Sequence, residues 1–153
     1  MIEIRAATIT DSDALAGLRW EFRSAQDPPT ESQDEFVRRC AAWMRRELST
    51  GAAWSAWVAV DRQAIVGQVW VQTVQKIPNP AAESERLAYL SNLFVQASAR
   101  GGIGTRLLAT ALDWCRVNHV DRVFLWPSAR SVTLYRRHGF SGSGDVMELK
   151  IRS

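Results

Sequence analysis

The run LAYLSNLFVQASARGGIGTRLLATAL, residues 87–112, holds the plan of the chain: an apolar strand, a short turn with three glycines, then an amphipathic helix. Leu87, Tyr89, Ser91, Leu93 and Val95 alternate with Ala88, Leu90, Asn92 and Phe94. Apolar groups therefore fall on both faces, as suits a strand covered on both sides. Residues 96–99 break the pattern, and Arg100, Gly101, Gly102, Ile103, Gly104 and Thr105 form the bend. Beyond it, Ile103, Leu107, Leu108, Ala111, Leu112 and Cys115 recur at helical spacing, giving one greasy face.

A strand, glycine turn and helix in that order make a seat for an anion. The first N–H groups of a helix lack partners within it and point outward at the positive end of its dipole. Glycine lets the backbone approach phosphate oxygens closely and permits positive φ in the bend. Arg100 and Arg106 add charge beside it, so a phosphate or diphosphate is the natural guest. The plainer alternative is that the glycines only tighten a turn. Two other phosphate loops fail on spacing. A dinucleotide fingerprint counted from Gly102 and Gly104 needs Gly or Ala where Leu107 stands, and there is no Gly-Lys-Ser/Thr of a P-loop.

These residues carry a resemblance. VQASARGGIGTRLL, residues 95–108, resembles the acetyl-CoA diphosphate loop of the GNAT-type N-acetyltransferase superfamily, whose core pattern is Gln/Arg-x-x-Gly-x-Gly/Ala. PSARSVTLYRRHGF, residues 127–140, is similar to that superfamily's segment ending in Leu-Tyr, three variable residues and Gly-Phe. The two motifs stand in the family's order, and looser similarity covers nearly the whole chain from Ile2 onward. One departure is visible: counted forward from Val95, the Gln/Arg position falls on Arg100 with one loop residue deleted. The resemblance implies a mixed α/β fold with a mostly antiparallel sheet and helices on both faces, in which the central strand and the next splay apart to admit the pantetheine arm. It also implies acetyl-CoA as cosubstrate, with no metal.

The bulk numbers agree. At 153 residues, 46% hydrophobic and 23% charged, the chain reads as a single domain, 1–153, of a soluble globular protein. A net charge of +3 suits a small anionic ligand, but the arginines are scattered and make no nucleic-acid stripe. Cys40 and Cys115 sit in helical patterns without metal-ligand spacing, so core packing in a reduced cytoplasmic setting is expected. No apolar leader and no run of membrane-spanning length appears.

In chain order, Ile2, Ile4 and Ala6 alternate as a first strand. Thr10, Asp11, Ser12 and Asp13 offer N-caps to a helix reaching Ser24, and after Pro28 and Pro29 a second helix carries Phe36, Val37, Cys40, Trp43, Met44 and Leu48 on its stripe. Thr50 and Gly51 close it. Residues 54–60 and 64–74 form a hairpin, with Ile65, Gly67, Val69, Val71 and Thr73 on one face and Gln68, Trp70 and Gln72 on the other. Residues 76–84 read as a loop, 123–126 as a buried strand, 128–138 as a helix closed by Gly139, and 146–151 as a last strand. Together these elements predict a mixed sheet with helices on both faces.

Acetyl transfer to an amine requires a neutral nucleophile, a polarised thioester carbonyl and a proton for the departing thiolate. Tyr135 is the candidate acid, since a phenol of pKa about 10 matches a thiol leaving group. Spacing alone would let it cap the core beside Leu134, and the family match favours the catalytic role. Cofactor contacts are expected from the backbone of Leu93, Phe94 and Val95, from Arg100, Gly101, Gly102, Ile103, Gly104 and Thr105, and from Ser131. The base is open: residues 87–95 hold no carboxylate, Asn92 there serves either to orient substrate or to hydrogen-bond a bulge, and Glu21, Asp27, Glu83 and Glu85 are the alternatives. His119 and His138 lack metal partners at ligand spacing, and Trp20, Trp54 and Trp70 are candidates for an acceptor pocket. The acceptor is expected to be a small-molecule or peptide amine, a homodimer is open, and a module that binds acyl-CoA without turnover is the second reading.

Overall fold

The sheet is built outward from hairpins. In the computed structural model, which describes residues 1–81, 85–99, 101–142, 144 and 146–152, five strands lie in sequence order: β1 (Ile2–Ala6), β2 (Trp54–Asp61), β3 (Ala64–Gln75), β4 (Arg86–Val95) and β5 (Arg122–Phe124). The first four pair antiparallel, and β4 and β5 pair in parallel. The β2–β3 turn places Arg62 and Gln63 at φ 49° and 69°, the doubly left-handed turn whose twist matches that of its strands.

Helices α1 (Ser12–Ser24) and α2 (Gln33–Thr50) cover one face, and α3 (Ile103–Val117) and the short α4 (Val132–Arg137) cover the other. A 3₁₀ turn over Ile9–Asp11 leads into α1. There Asp11 accepts from Arg5 Nη1 at 2.8 Å and Nη2 at 3.0 Å and from the Thr8 amide at 2.7 Å, tying β1 to the helix start. Ser32 caps α2 by accepting from the Glu35 amide, and Gly51 ends it in the left-handed region. On the α3 side, Leu107, Leu108 and Ala111 bury against Val69, Val71, Ala88 and Leu90; on the other, Leu15, Ala16, Ala41 and Met44 bury against Ala56, Val58 and Trp70.

Four expectations are corrected. Ile65 packs with Trp70 on the α1/α2 face, not with Val69, because a bulge between Ala59 and Val60 shifts the register and turns Val66 toward α3. The strand expected at 123–126 is Arg122–Phe124 and only half-buried, and Trp126 beyond it is 69% exposed. The helix expected over 128–138 starts a turn late, at Val132, because the Ser131 hydroxyl accepts from the Ser128 amide at 3.0 Å and donates to its carbonyl at 3.1 Å. Serine hydroxyls compete in this way with helical backbone bonds. The last strand is absent: the described residues of 146–152 pair with nothing in the sheet, leaving Met147 and Leu149 exposed. Alternation there supplies strand propensity without a neighbour to accept it.

Candidate active site

The parallel pair β4–β5 is held at one end and open at the other. Leu87, Ala88 and Tyr89 face Arg122, Val123 and Phe124, and pairing stops there. The closed end is clamped by Asp121, whose Oδ2 accepts from the Glu85 and Arg86 amides at 3.0 and 3.1 Å, holding its carboxyl below the usual range. Its own amide donates to Arg86 O at 2.8 Å. Past Tyr89, β4 continues without a strand partner on that side for six residues, to Val95, its unpaired edge forming one lip of a gap beyond β5.

A second irregularity shapes that lip. Gln68 faces Phe94 while Trp70 faces Ser91, so Val69 stands against both Asn92 and Leu93. This bulge puts Asn92 at φ 58°, a conformation Asn tolerates better than most residues. Of the two roles open to Asn92, the bulge is present. Its Oδ1 also accepts from Arg19 Nη1 at 3.2 Å. The Gln96 amide donates to Val66 O at 2.9 Å, so strand alternation turns the Phe94 peptide N–H toward β3 and that of Leu93 toward the gap. The side chains alternate likewise: Leu93 and Val95 join the α3-side core, and Phe94 stacks on Phe22 at 5.0 Å.

Below the lip comes the turn expected to seat an anion. Ala97–Ala99 make a 3₁₀ turn, Gly101 and Gly102 sit at φ 135° and 87°, and Gly102 is the N-cap of α3. The first helical bond runs from the Arg106 amide to Gly102 O at 3.1 Å, which leaves the amides of Ile103, Gly104 and Thr105 ahead of it. A Cβ at Gly101 or Gly102 would enter open space. Arg106 itself turns away, its Nη2 donating to Ile2 O at 3.0 Å. Arg100, Glu83 and part of the late loop at 141–145 lie outside the described residues.

Tyr135 is 9% exposed in the α3-side core, against Phe140 at 5.5 Å, and burial pushes its phenol above the ordinary range. The Ser131 hydroxyl, expected at the cofactor, closes its own turn on Ser128. Among the base alternatives, Glu21 accepts from Gln96 Nε2 at 3.0 Å, Asp27 pairs with Arg23 at 3.4 Å, and Glu85 accepts from the Asn79 amide.

On the α1/α2 side, a cavity of about 570 Å³ opens against the bulge, lined by Arg19, Phe36, Trp43, Trp54, Ser91 and Asn92 among others. Of the three tryptophans expected there, Trp54 and Trp70 line it, and Trp20 lines a smaller neighbouring groove. Arg19, Trp43 and Cys40 were missed as site residues, because periodicity reads them as an outer charge and two core groups on helices α1 and α2. The buried network beneath them was missed too: Gln68 Nε2 donates to Leu15 O at 3.0 Å, and its Oε1 accepts from Trp70 Nε1 at 2.8 Å.

A parallel strand pair that parts after three residues, a bulge at Asn92 and a glycine turn opening α3 thus lie along one edge of the sheet. The family model described as the Acetyltransferase (GNAT) family matches residues 14–140. The chain belongs to the GNAT family of acetyltransferases, enzymes that take their acetyl group from acetyl-CoA and give it to amines. Among solved structures it is similar to a predicted acetyltransferase from Clostridium acetobutylicum, solved with acetyl-CoA, at 19% identity over 99% of this chain and 97% of that one, TM-score 0.80. A GCN5-related N-acetyltransferase from Ralstonia eutropha JMP134 follows at 20% identity, 98% and 99% coverage and TM-score 0.75. Glucosamine-6-phosphate N-acetyltransferase from Arabidopsis thaliana gives 18% identity, 99% coverage of both chains and TM-score 0.72. No curated protein matches the chain by sequence.

Proposed function

We propose that residues 1–153 act as one domain that transfers acetyl from acetyl-CoA to a primary amine of a small-molecule or peptide acceptor, by direct attack in a ternary complex. The observation that carries this reading is the gap between β4 and β5, flanked by the α1/α2 cavity and ending at the amides of Ile103, Gly104 and Thr105. Acetyl-CoA supplies an activated acyl group and a thiol leaving group. The Leu93 N–H polarises the carbonyl at the lip, and the loop amides with Arg100 hold the diphosphate. Tyr135, kept protonated by burial, donates its proton to the departing sulfur and recovers one from solvent as the amine gives up its own.

Direct transfer fits the thiol that lines the cavity. Burial pushes Cys40 above its ordinary range, which disfavours the thiolate an acyl-enzyme would need. Cys40 and Cys115 are both free, in keeping with a reduced, cytoplasmic setting.

One observation favours the second reading, an acyl-CoA-binding sensor: among the described residues no carboxylate lines the cavity to serve as a base. Mixing acetyl-CoA with an amine panel and following free thiol decides between them. Amine-dependent thiol release supports the transferase, whereas tight calorimetric binding of acetyl-CoA without release on any amine supports the sensor.

A further inference from the structure

The walls of the cavity carry charge of one sign. Arg19, Arg39 and Arg46 line it, and among the described residues no acidic one does. Arg39 is answered from outside the lining by Glu31, whose two oxygens each accept at 3.0 Å. Arg19 is different. Its half-buried side chain donates from Nη1 to the neutral Asn92 amide oxygen, and among the described residues no carboxylate pairs with it. Burial and the nearby charge of Arg23 both weigh against its cation, so an anion brought there relieves a strained electrostatic position. Opposite the charge the surface is aromatic, with Trp43 packed edge-on to Trp54 at 5.4 Å and tilted on Trp70 at 5.7 Å.

We infer that the acceptor is a primary amine that also carries a carboxylate or phosphate beside an apolar body, the anion seated on Arg19 and the apolar part against Trp43, Trp54 and Phe36. This deepens the transferase reading and rests on it. The same walls account for the missing base. Positive surroundings disfavour an ammonium ion, so the amine yields its proton to water more readily and meets the thioester as a free nucleophile. A polyamine or aminoglycoside would carry further positive charge into this cavity and is selected against.

The test pairs acceptors that differ only in the anion: phenylalanine against its amide, and phosphoethanolamine against ethanolamine, with spermidine as the cationic comparison. Thiol release is expected to favour the anionic member of at least one pair by about ten- to a hundredfold in kcat/KM, the range for a charge-assisted hydrogen bond. The pair that shows it distinguishes carboxylate from phosphate. Arg19→Gln should collapse that ratio toward one, and Arg19→Lys should restore part of it, with thermal melts showing that both variants fold. Equal use of the neutral partner, a preference for spermidine, or a ratio unmoved in Arg19→Gln overturns the proposal. A binding arm needs no turnover: N-acetylphenylalanine should quench tryptophan fluorescence at about tenfold lower concentration than its amide, again only with Arg19 present. Loss of thiol release with that difference retained would fell the catalytic reading and leave the anion site standing; no difference in the binding arm fells the anion site.

Discussion

Tyr135 illustrates how one side chain's burial sets its chemistry. A desolvated phenol resists ionisation, so it remains a proton donor across the working range. Tyr135→Phe is expected to lower kcat by about ten- to a thousandfold while changing the KM for acetyl-CoA little. Because the group must be protonated to act and its pKa is raised, the alkaline fall of kcat should lie above about 10 and vanish in the variant. A pH–rate profile that still falls at the same place in Tyr135→Phe removes this residue from the role. Asp11 makes a structural case at the same scale, with four hydrogen bonds from Arg5 and Thr8 on a nearly buried carboxylate. Its pKa is held down chiefly by Arg5, so its stabilisation is complete above the unfolded value of about 4 and is lost as acid protonates it in the fold. Asp11→Ala should cost about 2–4 kcal/mol in denaturant unfolding at pH 7, a difference that shrinks below pH about 4. A constant difference across that range would sink this account.

At the scale of elements, the glycine turn and the start of α3 separate binding from folding. Gly102 sits at φ 87°, where any side chain is strained, whereas the nearest atom to a Cβ on Gly104 is Val95 Cγ2 at 3.9 Å. Gly104→Asp is therefore expected to fold with nearly the parent melting temperature, yet to weaken acetyl-CoA by about tenfold or more through bulk and negative charge at the diphosphate seat. Gly102→Asp should lose stability as well as affinity. Calorimetric titration of both variants checks this, and unchanged affinity in Gly104→Asp would place the diphosphate elsewhere. The strand–turn–helix unit was legible because its apolar alternation, its glycines and its 3.6-residue stripe each point to one local structure. The late strand at 146–151 was misread, since alternation states a preference while pairing needs a free edge at the right register. The bulge at Val66 was hidden, and the one at Asn92 was open only as one of two roles: an extra residue in a ladder is fixed by both strands together.

For the whole molecule, the proposed function puts acetyl-CoA along the unpaired edge of β4 and the glycine turn before α3, and the acceptor in the cavity on the α1/α2 side. Acetyl-CoA binding to the folded chain alone should raise the melting temperature, with about 2.7 kcal/mol of added stability when the ligand stands at a hundred times its Kd. A melting curve indifferent to millimolar acetyl-CoA would show that the seat does not bind it. The layered α/β class, the glycine-capped helix start and the family could be read along the chain, because periodicity, glycine and motif order are local properties. Only the tertiary structure decided that β5 parts from β4 after Phe124, that Asn92 bulges toward Arg19, and that three arginines and three tryptophans from distant elements share one cavity. Those relations arise where separate elements meet, and side chains that look like outer charge or core along one helix become a site when a second element closes over them.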